Sequence, residues 1–178
     1  MSSMAAHTWL AREHGADRIV VSGECAGGGL AVAMAVRLRD AGEPLPALLH
    51  LVSPFCDLTV SSASANAMAV SDPWLNRDRL RLLGASYIHA AEPEDPSISP
   101  VRADLRGLPP MLVQAAAGEA LADDARTLAA AAEAAGVDVT LELEDDSVHS
   151  FVLFDFLPET ERALGQLAAH AAGALAAA

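Results

Sequence analysis

The chain has 178 residues and a formal net charge of −13, from 24 acidic and 11 basic side chains, and 52% of its residues are hydrophobic. That length suits one domain able to bury a core, and the apolar share argues against a mostly disordered chain. The acidity disfavours nucleic-acid backbones and anionic membrane surfaces as partners. All 11 basic residues are arginine. Cys25 and Cys56 are too few for a disulfide framework, which suggests a reducing compartment. The first residues carry neither a basic n-region nor an apolar h-region, so no secretory signal is expected. No apolar stretch of about 18 residues runs free of charge, so no transmembrane helix is expected and the default location is cytoplasmic.

In chain order, Ala5 to His14 reads as a helix stopping at Gly15, and Arg18 to Ser22 as a short buried strand. Ala26 to Arg39 is a helix with apolar Leu30, Met34 and Leu38 at spacings of four, ended by Gly42 and Pro44. Ala47 to Val52 is a second strand, closing at Ser53-Pro54. Asp57 to Ser71 is small, polar and low in complexity, and reads as loop. Leu75 to Ala90 is helical, with its first turn around Asn76-Arg77-Asp78. Glu92 to Pro110 is a proline-rich ordered loop. Met111 to Ala115 is a third strand, Ala122 to Ala135 an alanine-rich helix ending at Gly136, and Val137 to Leu143 a half-exposed strand. Leu157 to Ala177 is the last helix. Alternating strands and helices imply an α/β fold, a parallel sheet of about four strands flanked by helices, with right-handed crossovers.

Between the first strand and its helix stands Gly23-Glu24-Cys25-Ala26-Gly27-Gly28-Gly29. Gly23-x-Cys25-x-Gly27 fits a nucleophile elbow with cysteine in the nucleophile position. A sharp strand-to-helix turn holds such a residue in strained backbone, and glycines two before and two after prevent clashes. The side chain then stands above the sheet at a helix N-terminus, where the dipole and free N–H groups favour an anion. The N–H of Ala26 could donate to an oxyanion. The plainer reading is a small buried cysteine beside a glycine-rich turn. Gly27-Gly28-Gly29 is no phosphate cradle, since no G-x-x-x-x-G-K-[ST] occurs.

Several blocks together resemble the C-terminal part of the hormone-sensitive-lipase-like (fold-3) α/β-hydrolases. The family's Gly-Asp-Ser-Ala-Gly-Gly elbow corresponds to Gly23-Glu24-Cys25-Ala26-Gly27-Gly28. Asp95-Pro96-Ser97-Ile98-Ser99-Pro100 resembles its DP-x-x-SP segment, and Leu108-Pro109-Pro110-Met111-Leu112-Val113 its LPP strand. Gly118-Glu119-Ala120-Leu121-Ala122-Asp123-Asp124 is similar to the acid loop, written D-P-L-x-D-E, and His149-Ser150-Phe151 matches HGF. The resemblance implies a triad of Cys25 as nucleophile, His149 as general base and acid, and Glu119 as the group orienting the imidazole, in the order nucleophile, acid, histidine. Asp123 and Asp124 are nearby alternatives to Glu119, better suited to charging a helix N-terminus. On its own, His149 after Glu144-Asp145-Asp146 would read as a solvated loop histidine.

The implied activity is carboxylic-ester hydrolysis on small, uncharged, short-acyl esters, with no cofactor or metal. Two features depart from the pattern. Cysteine stands where the family has serine, as in the Cys-His-Asp triad of dienelactone-hydrolase-like members. No His-Gly-Gly occurs in the 178 residues, so the glycine-loop oxyanion donors are absent and weak activity is expected. Residues 1–178 are thus expected to form a single truncated domain lacking the N-terminal strands and oxyanion loop. The uncovered flank of the Ile19–Val21 strand would favour association, a homo-oligomer included. The alternative is a non-catalytic fragment or interaction module of the same fold. The acidic run Glu142, Glu144, Asp145, Asp146 beside His149 lacks calcium-loop or zinc spacing and reads as solvated loop. His7, His14, His50, His89 and His170 are assigned core or surface roles. Cys56 is assigned to packing, as are Trp74 and Tyr87, which sit on a segment resembling the helix beside the acyl pocket.

Overall fold

The computed structural model describes residues 2–67, 72–88 and 91–176. Four strands, β1 (Val20–Glu24), β2 (Leu48–Val52), β3 (Met111–Ala116) and β4 (Val139–Glu144), form one sheet in the order β1-β2-β3-β4, every neighbouring pair parallel. Between and around them lie α1 (Ser3–His14), α2 (Ala26–Asp40), α3 (Ala63–Asn66), α4 (Arg77–Ile88), α5 (Ala122–Ala134) and α6 (Pro158–Ala176).

The strands alternate faces. Leu49, Leu51, Met111, Val113 and Ala115 turn to one side and are buried with Ala31, Val32 and Ala35 of α2 and Ala125, Leu128 and Ala132 of α5. Alanine on both helices lets them lie close to the sheet. The opposite face packs against α6, where Val52 meets Ala163, Phe151 and Val152. This second face also carries a polar chain across all four strands. Ser22 Oγ lies 2.9 Å from His50 Nδ1, His50 Nε2 lies 2.9 Å from Gln114 Oε1, and Gln114 Nε2 donates to Glu142 Oε2 at 2.7 Å and to the Ala163 carbonyl at 3.1 Å. The Glu142 and Ala163 acceptors lack hydrogens, so the Gln114 amide oxygen must face His50, which donates from Nε2 and accepts from Ser22 at Nδ1. Burial lowers the His50 pKa and keeps this ring neutral.

Expected and observed elements differ in instructive places. The first strand starts at Val20 rather than Arg18, because the chain leaves α1 through Gly15 at φ 86° and makes a 3-10 turn over Ala16–Arg18. It therefore runs on to Glu24, directly into the turn at Cys25. α1 begins two residues earlier than expected because the Ser2 hydroxyl accepts from the Ala5 N–H. Asn76 caps α4 by accepting from the Arg79 N–H. The expected loop over 57–71 contains a helical turn, α3. Its Ser62 accepts from Ala65 N, and Ser64 exchanges hydrogen bonds with Asp123 and Ala120 at the start of α5. β4 is half-buried along its whole length rather than alternating, as an edge strand with helices over both faces would be. The acidic run is only partly loop: Glu142 and Glu144 belong to β4, where Glu142 accepts from Gln114 and Glu144 pairs with Arg162. Residues 68–71 of the expected loop, His89, and the helix ends expected at Ala90 and Ala177 lie outside the described residues.

Candidate active site

Cys25 occupies the turn between β1 and α2 with φ 51° and ψ −118°, a backbone conformation that costs on the order of 1–3 kcal/mol for a non-glycine residue. The turn is tied down on both sides. Its N–H donates to the Val52 carbonyl at 2.9 Å, and its carbonyl accepts from Phe55 at 2.9 Å and Gly28 at 3.0 Å. The glycines make this approach possible, though not quite as the motif suggests. A Cβ on Gly23 would stand 2.2 Å from the Gly27 carbonyl oxygen, and one on Gly29 would stand 2.2 Å from that of Phe55. Gly27 itself has open space around it.

Glu119 and His149 arrive from the loops after β3 and β4, at the same C-terminal edge of the sheet where parallel α/β folds gather their sites. His149 Nδ1 lies 3.1 Å from Glu119 Oε2, and its Nε2 lies 3.5 Å from Glu24 Oε1. The Cys25 sulfur, a Glu24 carboxylate oxygen and a His149 ring nitrogen all fall within 4.8 Å of one another. Burial opposes a charged His149 ring, but its bonds to Cys25 and Glu119 outweigh it, and the pKa rises to about 10. Burial also raises the Glu119 pKa, against the hydrogen bonds from His149 and Ser53. His149 is 7% exposed, so it is not a solvated loop histidine. Ala26 is the first residue of α2, where helical N–H groups have no partner within the helix.

Asp123 and Asp124 are engaged elsewhere. Asp124 accepts the backbone N–H groups of Cys56 and Asp57, both at 2.9 Å, while burial pushes its carboxyl up to about 7. Asp123 accepts from Ser64 and pairs with Arg126 at 2.9 Å. Cys56 is fully buried, as a packing role requires.

Three residues of the site, Ser53, Ser150 and Glu24, were given no role by the sequence, although Glu24 and Ser150 lie inside its motif blocks. Ser53 Oγ donates to Glu119 Oε2 at 2.9 Å and accepts from the Ser150 N–H at 3.0 Å, so one hydroxyl joins the β2 end, the acid and the histidine loop. Ser150 Oγ donates to Glu24 Oε1. The usable signal was position: Glu24 ends β1 and Ser53 directly follows β2, at the edge that holds the site.

Beside Cys25 opens an apolar cleft of about 180 Å³, bordered by Leu30, Phe55, Leu83, Tyr87 and Ile98. Tyr87 is 51% exposed and Trp74 is 43% exposed, so neither is a core residue. Tyr87 lines the cleft, and Trp74 stacks on Phe154 with ring centroids 5.4 Å apart. No helix among the described residues is long and apolar enough to cross a membrane.

Residues 1–153 match a family described as the alpha/beta hydrolase fold. An acetyl-hydrolase of Streptomyces hygroscopicus is 40% identical over 148 residues, which are 83% of this chain and 50% of that protein. An esterase of Acinetobacter venetianus is 36% identical over 155 residues, 86% of this chain and 51% of that one. The chain thus spans about half the length of these curated relatives. Among solved structures, an esterase of the bacterial hormone-sensitive lipase family superposes with a TM-score of 0.92 at 40% identity, covering 96% of this chain and 58% of that one. An esterase/lipase from an uncultured bacterium gives 0.91 at 35% identity, covering 97% and 59%. With the sheet order and these relatives in agreement, the chain belongs to the hormone-sensitive-lipase-like α/β-hydrolase family.

Proposed function

We propose that this chain catalyses acyl transfer from small, uncharged carboxylic esters to water, with Cys25 as nucleophile, His149 as general base and acid, Glu119 as orienting acid and the Ala26 N–H as an oxyanion donor. The observation that carries the reading is the strained Cys25 at the β1–α2 turn, set against a His149 held by buried Glu119. Sulfur attacks the ester carbonyl carbon with its proton already held by His149, whose pKa is raised to about 10, and the oxyanion forms beside Ala26. The C–O bond then breaks, and the alcohol leaves with the proton from His149. Water, deprotonated by His149, attacks the thioester. The C–S bond breaks with the water proton kept on His149, restoring the starting pair and releasing the carboxylic acid.

The cleft of about 180 Å³ is smaller than the ~300–1,000 Å³ typical of drug-sized ligands, which supports a short acyl group. Turnover by these 178 residues is expected to be slow. The sequence holds no His-Gly-Gly segment, and one lost oxyanion donor costs about 10²–10³ in rate. That same absence favours, as second reading, a non-catalytic module of the fold. The test is hydrolysis of p-nitrophenyl butyrate by the purified chain, in chelator, beside Cys25→Ala and Cys25→Ser. Slow turnover abolished by Cys25→Ala supports acyl transfer. Turnover unchanged by Cys25→Ala, or none at all, removes it.

A further inference from the structure

We propose that Glu24, Cys25 and His149 form a binding site for a thiophilic divalent cation of the zinc class, a use of the elbow beyond acyl transfer. The three donor atoms converge within 4.8 Å, and Glu24 Oε1 stands 3.5 Å from His149 Nε2. Two donors each bonded at about 2.0–2.1 Å to a tetrahedral zinc would stand about 3.3 Å apart, so the Glu24–His149 pair is already close to ligand spacing. Sulfur, imidazole nitrogen and carboxylate oxygen are the donors zinc takes. Three protein ligands leave its fourth position open, and the sulfur selects against magnesium and calcium.

The surroundings already hold the ligands as a metal site requires. Buried Glu119, 1% exposed, engages His149 Nδ1 and leaves Nε2 facing Glu24 and Cys25. Such a carboxylate–histidine pair orients metal-binding imidazoles. Ser150 Oγ holds Glu24, and the Ser150 N–H is fixed by Ser53, so one network sets both ligands. The two elbow positions that differ from Gly-Asp-Ser-Ala-Gly-Gly, Glu24 and Cys25, supply two of the donors. A second triplet, Asp72, Glu119 and His149, is less apt, since Asp72 already accepts the N–H groups of Trp74, Leu75 and Ala120.

Binding exchanges protons for metal. Zn²⁺ takes the Cys25 sulfur as thiolate and the thiol proton passes to solvent, while His149 contributes its lone pair after releasing any proton on Nε2. The sulfur lone pair is then committed to the cation, and zinc silences acyl transfer. The site shares residues with that reaction, but its test needs no turnover.

Chelator-stripped chain is titrated with Co²⁺ alone, then with Zn²⁺ alone. One equivalent of Co²⁺ should produce sulfur-to-metal charge-transfer absorption in the near ultraviolet, which Zn²⁺ removes by displacement. Cys25→Ser should abolish the band with an unchanged circular-dichroism spectrum, and Cys56→Ala should retain it. Glu24→Gln should weaken Zn²⁺ binding by at least about tenfold. Absence of the band from the parent chain, its survival in Cys25→Ser, or unchanged Zn²⁺ affinity in Glu24→Gln overturns the proposal. The parent measurement decides even if a variant fails to fold. A chain that hydrolyses ester in chelator but gives no band loses the metal site alone; a chain that gives the band but never hydrolyses ester loses acyl transfer alone.

Discussion

Ser53 makes the Glu119 and His149 loops depend on a single hydroxyl. Removing it leaves the buried Ser150 N–H without an acceptor and takes one donor from Glu119 Oε2, and a buried group left unpaired costs about 1–3 kcal/mol. Ser53→Ala should lower urea-unfolding stability by that amount and slow ester hydrolysis as well, because the loop carrying His149 loosens. Glu119→Gln tests the acid more directly. It keeps the volume and a hydrogen-bonding oxygen but offers no charge to an imidazolium. Hydrolysis should fall by about 10²–10⁴-fold with the unfolding midpoint little changed; equal rates in Glu119→Gln and the parent would deny Glu119 its role. The loop that brings Glu119 against His149 was legible in the sequence as a recognisable block. Ser53 was not, since its partner Ser150 lies 97 residues away and no local pattern encodes a contact across that distance.

At the level of elements, the junction of α2 with the end of β2 sets the tolerance of the β1–α2 turn. Gly29 faces the Phe55 carbonyl oxygen at 2.2 Å from where a Cβ would be, and that oxygen belongs to backbone, which cannot swing away. Gly29→Ala should push α2 off the sheet and cost about 1–3 kcal/mol by overpacking, read as a lower midpoint in urea. Gly27→Ala meets nothing within 4 Å and should be nearly neutral in the same assay. The glycine run was visible in the sequence, but which glycines bear the close approach depends on how α2 crosses Phe55, and this tertiary distance leaves no trace in the spacing. The α3 turn escaped sequence reading for a related reason. Four residues of small side chains carry no periodicity, and they are helical through Ser62 and the Asp123 carboxylate rather than through propensity.

For the molecule as a whole, Asp124 sets a pH dependence of stability. Burial raises its carboxyl from 3.8 to about 7 in the folded chain. Between these values the folded state keeps a proton that the unfolded state has released, so the contribution of Asp124 to stability falls as pH rises from about 4 to about 7. Asp124→Asn retains an acceptor for Cys56 and Asp57 and cannot ionise. Its stability relative to the parent should therefore increase across that window in urea titrations. A difference independent of pH would show that Asp124 is ionised in the fold throughout.

The polar chain Ser22–His50–Gln114–Glu142 has a consequence for assembly of the sheet. Apolar residues dominate β2 and β3, and an apolar strand buried on both faces offers almost the same contact surface after sliding by one residue. Hydrogen-bonding groups do not share that indifference. Were β2 to slip one place, His50 would turn into the alanine-lined side under α2 and α5, and the buried Gln114 amide would lose a partner. Four side chains therefore act as a vernier on an otherwise featureless set of strands. The alignment they select is also the one that brings Glu24, Ser53 and the two loops beyond β3 and β4 to a common level.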